Sequence, residues 1–134
     1  MDKVLATCFE HFKDEEFTKC IPSCHLTDMN FEFMVGIENA RIIAGVPFII
    51  NSAYRSKEHE LTRGRKGTSS HCKGLALDIQ CKDSVTRLAI LKGLIEEGFS
   101  RIGIHERFIH VDADTTKPAC IWIYGQSTMF ADEF

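Results

Sequence analysis

The chain has 134 residues, and 44% of them are hydrophobic, which is enough for one folded domain with its own core. Charged residues make up 26% of the sequence and glycine plus proline only 12 residues (9 + 3), so neither a disordered chain nor a fibrous repeat is expected. The formal net charge of −3 argues against nucleic acid as the main partner. No run of residues approaches the roughly 20 apolar positions that a membrane-spanning helix needs, so no membrane association is expected.

The cysteines and the first residues bear on the compartment. The first ten residues lack the apolar core of a secretory signal peptide, so we expect a protein made in the cytoplasm. Six cysteines would suggest disulfides in a secreted chain, but here reduced thiols are the expectation. Cys20, Cys24 and His25 form a CxxxCH pattern without a second Cys/His pair, which favours buried thiols over a structural metal site.

Helices are predicted in the first third of the chain. A short amphipathic helix is expected over residues 3–13, and a longer one over 28–44. Thr27 is the predicted N-cap of the longer helix, and Gly45 and Pro47 end it.

Strands dominate the remainder, with one helix between them. Strands are expected over 48–51, 75–79, 99–104, 107–113 and 119–124, and residues 52–70 form a polar loop. A helix is predicted to begin after Asp83, to end at Gly98 and to bury an apolar face made of Val85, Leu88, Leu91 and Ile95. We therefore predict one α+β domain over residues 1–134, with a mostly antiparallel sheet and helices packed on one side.

Asp78 and His71 suggest a site at the second strand. Asp78 interrupts an apolar strand on the face opposite Leu75, Leu77 and Ile79, where a carboxylate is costly unless it is solvated, paired or bound to a cation. His71 precedes it by seven residues, and Gly74 lets the chain turn so that the imidazole can approach the carboxylate.

A second polar pair lies on the strand over 107–113. His110 and Asp112 share one strand face, about 6.6 Å apart along the strand. If the two strands pair, His71, Asp78 and His110 converge, and two imidazoles with one carboxylate suit zinc with a coordination position open for water. The alternative is that both histidines are ordinary polar residues and that Asp78 caps a turn. Because two histidines and two aspartates occur together on apolar strands, we favour the metal site.

These residues fit a known signature. Ser69-x-His71-x-x-Gly74-x-Ala76-x-Asp78 resembles the S-x-H-x-x-G-x-A-x-D motif of the zinc D-alanyl-D-alanine carboxypeptidases, a family that includes the L-alanyl-D-glutamate endopeptidases of phage endolysins and shares its fold with the hedgehog signalling domain. Residues 52–56 look like the family's S-x-x-R-S element, and residues 108–112 look like its last zinc-ligand strand. The similarity covers about residues 28–113.

The resemblance implies a role for each matching residue. His71, Asp78 and His110 would be the zinc ligands, and Ser69 would hydrogen-bond the substrate or a neighbouring ligand. Arg55 would hold a substrate carboxylate or carbonyl with its fork of donors.

The general base departs from the family pattern. Many members carry an acidic residue three positions before the last histidine, where this chain has Arg107. Asp112 is our first choice as the catalytic carboxylate because it shares a strand face with His110, and Glu106 is the second choice.

Three functions remain open from the sequence. The first is a monomeric zinc metallopeptidase that hydrolyses peptidoglycan stem peptides, as a D-Ala-D-Ala carboxypeptidase or an L-Ala-D-Glu endopeptidase. Such an endolysin-like hydrolase would wait in the cytoplasm and reach the cell wall after release. The second is a non-catalytic zinc-binding module of the same fold. The third is a cysteine-dependent hydrolase that uses Cys72, whose side chain we expect to point away from that of His71.

Overall fold

The structure is a computed structural model that describes residues 9–125. The helices of this part of the chain are α1 (Asp14–Thr18), α2 (Phe31–Ala44), α3 (Lys57–Thr62) and α4 (Ser84–Glu97). The strands are β1 (Ile50–Ser52), β2 (Ala76–Gln80), β3 (Arg101–Ile104), β4 (Phe108–Asp112) and β5 (Cys120–Ile123), and short 3-10 helices span Leu26–Asp28 and Ser70–Lys73. None of the helices between residues 9 and 125 is long and apolar enough to cross a membrane.

The five strands form one sheet in the order β1-β2-β4-β3-β5. Neighbouring strands are antiparallel except for β3 and β5, which run parallel. The α+β class and the mostly antiparallel sheet predicted from the sequence are therefore confirmed.

The core lies on one face of this sheet. Alternate residues of the central strands pack against side chains of α2 and α4 to form one apolar cluster. The fully buried members are, from the strands, Leu77, Ile79, Ile102, Ile109 and Val111, and, from the helices, Met34, Ile37, Ile90 and Leu94. The intervening residues of β2 and β4, among them Asp78 and His110, consequently project from the other face.

The beginnings of two helices differ from the prediction. Residues 3–8 of the first predicted helix lie outside the described residues, residues 9–13 are not helical, and α1 begins at Asp14. The N-cap of α2 is Asn30 rather than Thr27: the Asn30 side chain accepts from Phe33 N–H at 2.9 Å, while Thr27 lies within a 3-10 turn. The predicted end of α2 at Gly45 is confirmed, with φ at 70° in the left-handed region.

Helix α4 has the predicted ends but not the predicted buried face. Asp83 caps its first turn by accepting from Thr86 N–H at 2.7 Å, and Gly98 ends it. Of the four residues predicted to be buried, Val85, Leu88 and Ile95 are 82%, 62% and 52% exposed, and Leu91 is half-buried against the core. The buried residues are instead Ile90, Gly93 and Leu94.

Close contact between α2 and α4 explains the buried face. A Cβ atom on Gly93 would lie 2.3 Å from the carbonyl oxygen of Ala40 and 2.9 Å from Cβ of Ala44, so the two helices approach each other at a glycine. Helix α4 thus has two apolar faces, and the face with Ile90, Gly93 and Leu94 is buried because the glycine permits closer packing.

The polar segment 52–70 contains a helix that the sequence did not suggest to us. Helix α3 is capped by Ser56, whose hydroxyl accepts from His59 N–H at 3.0 Å. This helix places Glu60 in the interior, where 1% of the residue is exposed.

Candidate metal centre

Pairing of β2 with β4 places Asp78 directly opposite His110. His71 comes from the 3-10 helix Ser70–Lys73, which precedes β2. The three residues predicted to converge do so: one ligand atom from each lies within 4.8 Å of the others.

Gly74 makes the turn between His71 and β2. Its φ of 69° lies in the left-handed region, and a Cβ atom there would lie 2.6 Å from the carbonyl oxygen of Asp28. The Gly74 carbonyl also accepts from Asn30 N–H at 2.9 Å, which fixes this turn against the start of α2. Only glycine combines this backbone conformation with so close an approach.

The separations of the ligand atoms suit one divalent ion. Asp78 Oδ1 lies 2.9 Å from His110 Nδ1 and 3.3 Å from His71 Nε2. Two donors of a tetrahedral zinc site, each about 2.0–2.1 Å from the ion, lie about 3.3 Å apart. The donor set and its spacing therefore fit zinc.

The hydrogen bonding of His71 also fits a metal ligand. Its Nδ1–H donates to the carbonyl oxygen of Ala53 at 2.6 Å, which leaves the lone pair of Nε2 directed at Asp78. This Nε2 is buried and makes no hydrogen bond to any residue within 9–125. A buried nitrogen lone pair without a donor is costly, and a bound cation would satisfy it.

His110 is held from its other ring nitrogen. Its Nε2–H donates to Asp112 Oδ2 at 2.7 Å, and Asp112 Oδ1 accepts from Arg101 Nε at 2.7 Å. A carboxylate that receives the second ring N–H of a ligating histidine is a common arrangement in metal sites, since it fixes both tautomer and orientation.

Charges in the centre set the protonation of the carboxylates. Burial raises the pKa of Asp78, but in the absence of an ion the rings of His71 and His110, when protonated, lower it more, so its pKa is well below the ordinary value. Burial likewise raises the pKa of Asp112, and His110 and Arg101 bring it below the ordinary value. Burial lowers the pKa of His110, and its bonds to Asp112 and Asp78 raise it above the ordinary value.

Arg55 lies beside the centre, between two carboxylates. Its Nη2 is 3.6 Å from Asp78 Oδ2 and its Nη1 is 3.5 Å from Glu60 Oε1, with 16% of the side chain exposed. Glu60 also pairs with Arg65 at 2.7 Å. The sequence analysis did not single out Glu60, because its burial depends on α3 and on tertiary contacts.

The remaining predicted site residues, Ser69, Asp112 and Glu106, differ in their hydrogen bonds and in their exposure to solvent. Ser69 caps the 3-10 helix by accepting from His71 N–H at 3.2 Å. Asp112 is 1% exposed, and both of its oxygens accept hydrogen bonds. The Glu106 side chain is 81% exposed, in the turn between β3 and β4, where it lies 3.8 Å from Arg107.

None of the cysteines within residues 9–125 belongs to this centre. Burial raises the pKa of the Cys72 thiol, which opposes its use as a nucleophile. Cys20 and Cys24 are buried in the core, and the His25 ring lies 3.0 Å from Asp14 instead.

Aromatic rings line the same face of the sheet. The Trp122 ring is centred 5.4 Å from that of His110, and Tyr124 lies 6.1 Å farther along. Trp122 covers Gly103, where an added Cβ atom would lie 2.6 Å from the indole. The apolar ring next to His110 excludes water from one side of the centre.

Asp114 is a further buried carboxylate next to the centre that sequence reasoning did not find. It is 2% exposed and accepts from Ser70 Oγ at 2.8 Å. Burial raises its pKa, but hydrogen bonds from Thr116, Ser70 and Lys73 lower it well below the ordinary value.

Comparison with known proteins gives one match. The family model described as Peptidase M15 matches residues 10–112, a range that contains all three converging residues and extends the similarity seen in the sequence toward the N-terminus. No curated protein matches the chain.

Proposed function

Because the chain belongs to the peptidase M15 family, we propose that it is a zinc metallopeptidase that hydrolyses an amide bond in the stem peptides of peptidoglycan. The family match confirms the resemblance carried by the ten-residue signature, and M15 peptidases are metal-dependent. The observation that carries the proposal is the convergence of His71, Asp78 and His110. The reaction would be that of a D-Ala-D-Ala carboxypeptidase or of an L-Ala-D-Glu endopeptidase.

The three converging residues would hold the zinc through His71 Nε2, Asp78 and His110 Nδ1. Zinc bound there would supply Lewis-acid chemistry, which polarises an amide carbonyl and makes water more acidic. The protein contributes the orientation: Ala53 fixes the ring of His71, and Asp112 fixes the ring of His110.

Arg55 is the proposed substrate-binding residue. Its guanidinium group lies beside Asp78, and its Nε is buried without a hydrogen bond to any residue in the described range. In this proposal a substrate carboxylate or carbonyl accepts hydrogen bonds from Nη1 and Nη2, which lie 3.5 Å from Glu60 and 3.6 Å from Asp78. Ser69 is retained as a second polar contact, although its hydroxyl also accepts from the His71 backbone.

The two candidate carboxylates differ in their freedom to accept a proton. Both oxygens of Asp112 are occupied by Arg101 and His110, which supports an orienting role for this residue. Glu106 is open to solvent on the turn before β4, where its ion-pair partner is Arg107, so in this proposal it accepts the proton when this turn brings it to the centre.

A second candidate function is a metal-binding module without hydrolytic activity. Two observations favour it: Arg107 occupies the position at which many relatives carry the acidic residue, and Asp112 is fully engaged in hydrogen bonds. This module would bind zinc with the same three residues.

The decisive experiment combines zinc content with product analysis. The purified protein is loaded with zinc and incubated with defined muropeptides, and the products are identified by mass spectrometry. We expect hydrolysis by the wild type, loss of zinc and activity in His71→Ala and His110→Ala, and loss of activity with zinc retained in Glu106→Gln.

Each alternative predicts a different result in the same experiment. Zinc binding without any product in the wild type would favour the non-catalytic module. Full zinc content and hydrolysis in His71→Ala would refute the proposed centre. Hydrolysis that survives chelators but not thiol alkylation would instead support the use of Cys72.

A further inference from the structure

We infer that Asp114 is a positioning residue of the metal centre, because its carboxylate fastens the 3-10 helix that carries His71 to the end of the strand that carries His110. The inference rests on the proposed metal site and adds a residue that does not touch the ion. Asp114 follows β4 by two residues, and the 3-10 helix Ser70–Lys73 lies 41 to 44 positions earlier in the chain.

The carboxylate binds both flanks of His71. Its Oδ2 accepts from Ser70 Oγ at 2.8 Å, and Lys73 Nζ donates to Oδ2 at 3.0 Å and to Oδ1 at 3.1 Å. Ser70 directly precedes His71 and is itself buried. Lys117 Nζ lies 3.8 Å from Asp114 Oδ2 and also donates to Ser70 Oγ at 3.3 Å.

The carboxylate is itself fixed on the strand side. Thr116 donates to Oδ1 from its backbone N–H at 3.1 Å and from its hydroxyl at 2.6 Å. The backbone N–H of Asp114 donates to Asp112 Oδ1 at 3.1 Å, and Asp112 accepts from His110. A continuous set of hydrogen bonds therefore connects the segment of one ligand with the ring of another.

Other contacts of the 3-10 helix do not depend on Asp114. Arg55 N–H donates to the His71 carbonyl at 3.2 Å, and the His71 ring donates to Ala53. Within the described range 9–125, the Asp114 side chain bonds to Ser70, Lys73, Thr116 and Lys117, which lie outside the strands and the apolar core, so we expect the fold to survive its loss. The expected effect is a looser His71, which must be reordered when the ion binds and therefore binds it more weakly.

The test measures zinc affinity by competition with a chromophoric chelator, together with the visible absorption of the cobalt-substituted protein. Asp114→Asn and Ser70→Ala should each weaken zinc binding about tenfold or more, in keeping with other residues that orient metal ligands. Because both variants weaken or remove the hydrogen bond between Ser70 and Asp114, the double variant should bind zinc little more weakly than the worse single variant. The cobalt spectrum should shift in both.

A matched control separates positioning from general stability. Ile37→Val removes one methylene group from the core, far from β4 in the sequence, and should lower the melting temperature without changing zinc affinity. Unchanged affinity and cobalt spectrum in both Asp114→Asn and Ser70→Ala would overturn the inference. A wild type that binds no zinc, or a His71→Ala variant that binds it equally well, would instead refute the metal site itself.

Discussion

At the scale of single residues, the proposed ligand His110 is oriented by a carboxylate that is not itself a proposed ligand. Asp112 lies behind His110 and between it and Arg101, and the Arg101 side chain also packs over Trp122 at 4.9 Å. In the proposed centre, Asp78 would be a ligand, and Asp112 would orient the His110 ring. These aspartates on neighbouring strands would have different roles because Asp78 faces both imidazoles, whereas Asp112 accepts from one imidazole and from a guanidinium group.

Replacing Asp112 by Asn should weaken zinc binding about 10- to 100-fold. The amide has a single accepting oxygen, whereas Asp112 accepts from both His110 and Arg101. Zinc affinity from chelator competition checks this, with Glu106→Gln as the control that removes a carboxylate from the exposed turn. Equal affinities in the two variants would contradict the orienting role.

The low pKa of Asp114 predicts a pH dependence of stability. The groups that face its carboxylate are Lys73, Lys117, Ser70 and Thr116, and its own N–H donates to Asp112. Because the folded pKa lies below the unfolded value near 3.8, its stabilising contribution is complete above that value and is lost as the pH falls toward the folded pKa.

The free energy of unfolding, measured at about five pH values between roughly pH 2 and pH 7, checks this prediction, because carboxyl groups titrate within this range. Asp114→Asn should be destabilised by about 2 kcal/mol at pH 7, and the difference from the wild type should shrink in acid. A difference that stays constant with pH would show that the Asp114 charge contributes nothing.

At the scale of elements, helix α4 shows where periodicity is insufficient. Apolar residues recur on two faces of this helix, and the sequence pattern favoured the face with Val85, Leu88 and Ile95. The structure buries the other face because Gly93 lets α4 approach the backbone of α2 closely. Such a choice depends on the partner helix, which the pattern of one helix does not contain.

A pair of leucine substitutions measures this difference between faces. Leu94→Ala should cost about 2–5 kcal/mol in the free energy of unfolding, because the side chain is fully buried. Leu88→Ala, at a residue 62% exposed on the same helix, should change it by less than about 0.5 kcal/mol. Urea denaturation of both variants provides the comparison, and a larger loss for Leu88→Ala would contradict the packing.

The metal centre was more predictable than the packing around it. Strand alternation placed Asp78 and His110 on polar faces, and the glycine at position 74 indicated the turn that returns His71. The caps at Asp83 and Gly98 were also readable, because they depend on local backbone bonds. The burial of Glu60 was not, since it depends on helix α3 and on tertiary packing. The contacts of Asp114 with Ser70 and Lys73 were not either, since they join residues 44 and 41 positions apart.

At the scale of the whole molecule, the sheet separates two environments. One face carries the apolar core, and the other carries the histidines, the aspartates and the aromatic rings. The centre therefore forms on a surface whose opposite side is rigidly packed, which suits a site that must hold three side chains at fixed separations.

Zinc should accordingly stabilise the folded protein. A concentration about 100-fold above Kd adds about 2.7 kcal/mol, which corresponds to a rise in melting temperature on the order of 10 °C for a chain of this size. Calorimetry with zinc and with a chelator measures the rise. It should vanish in His110→Ala; a rise of the same size in that variant would place the stabilising ion elsewhere.

Because Asp78 is paired directly with His110 across β2 and β4, the proposed centre can form only when these two strands are in the correct register. A shift of one residue in the register of β2 would turn every side chain of that strand to the opposite face. The Asp78 carboxylate would then point into the apolar core, away from His110. A misaligned molecule could then not capture the ion. Only molecules with the correct strand register would bind the ion and be stabilised by it. The fraction of molecules that contain the ion would therefore equal at most the fraction with correctly paired strands.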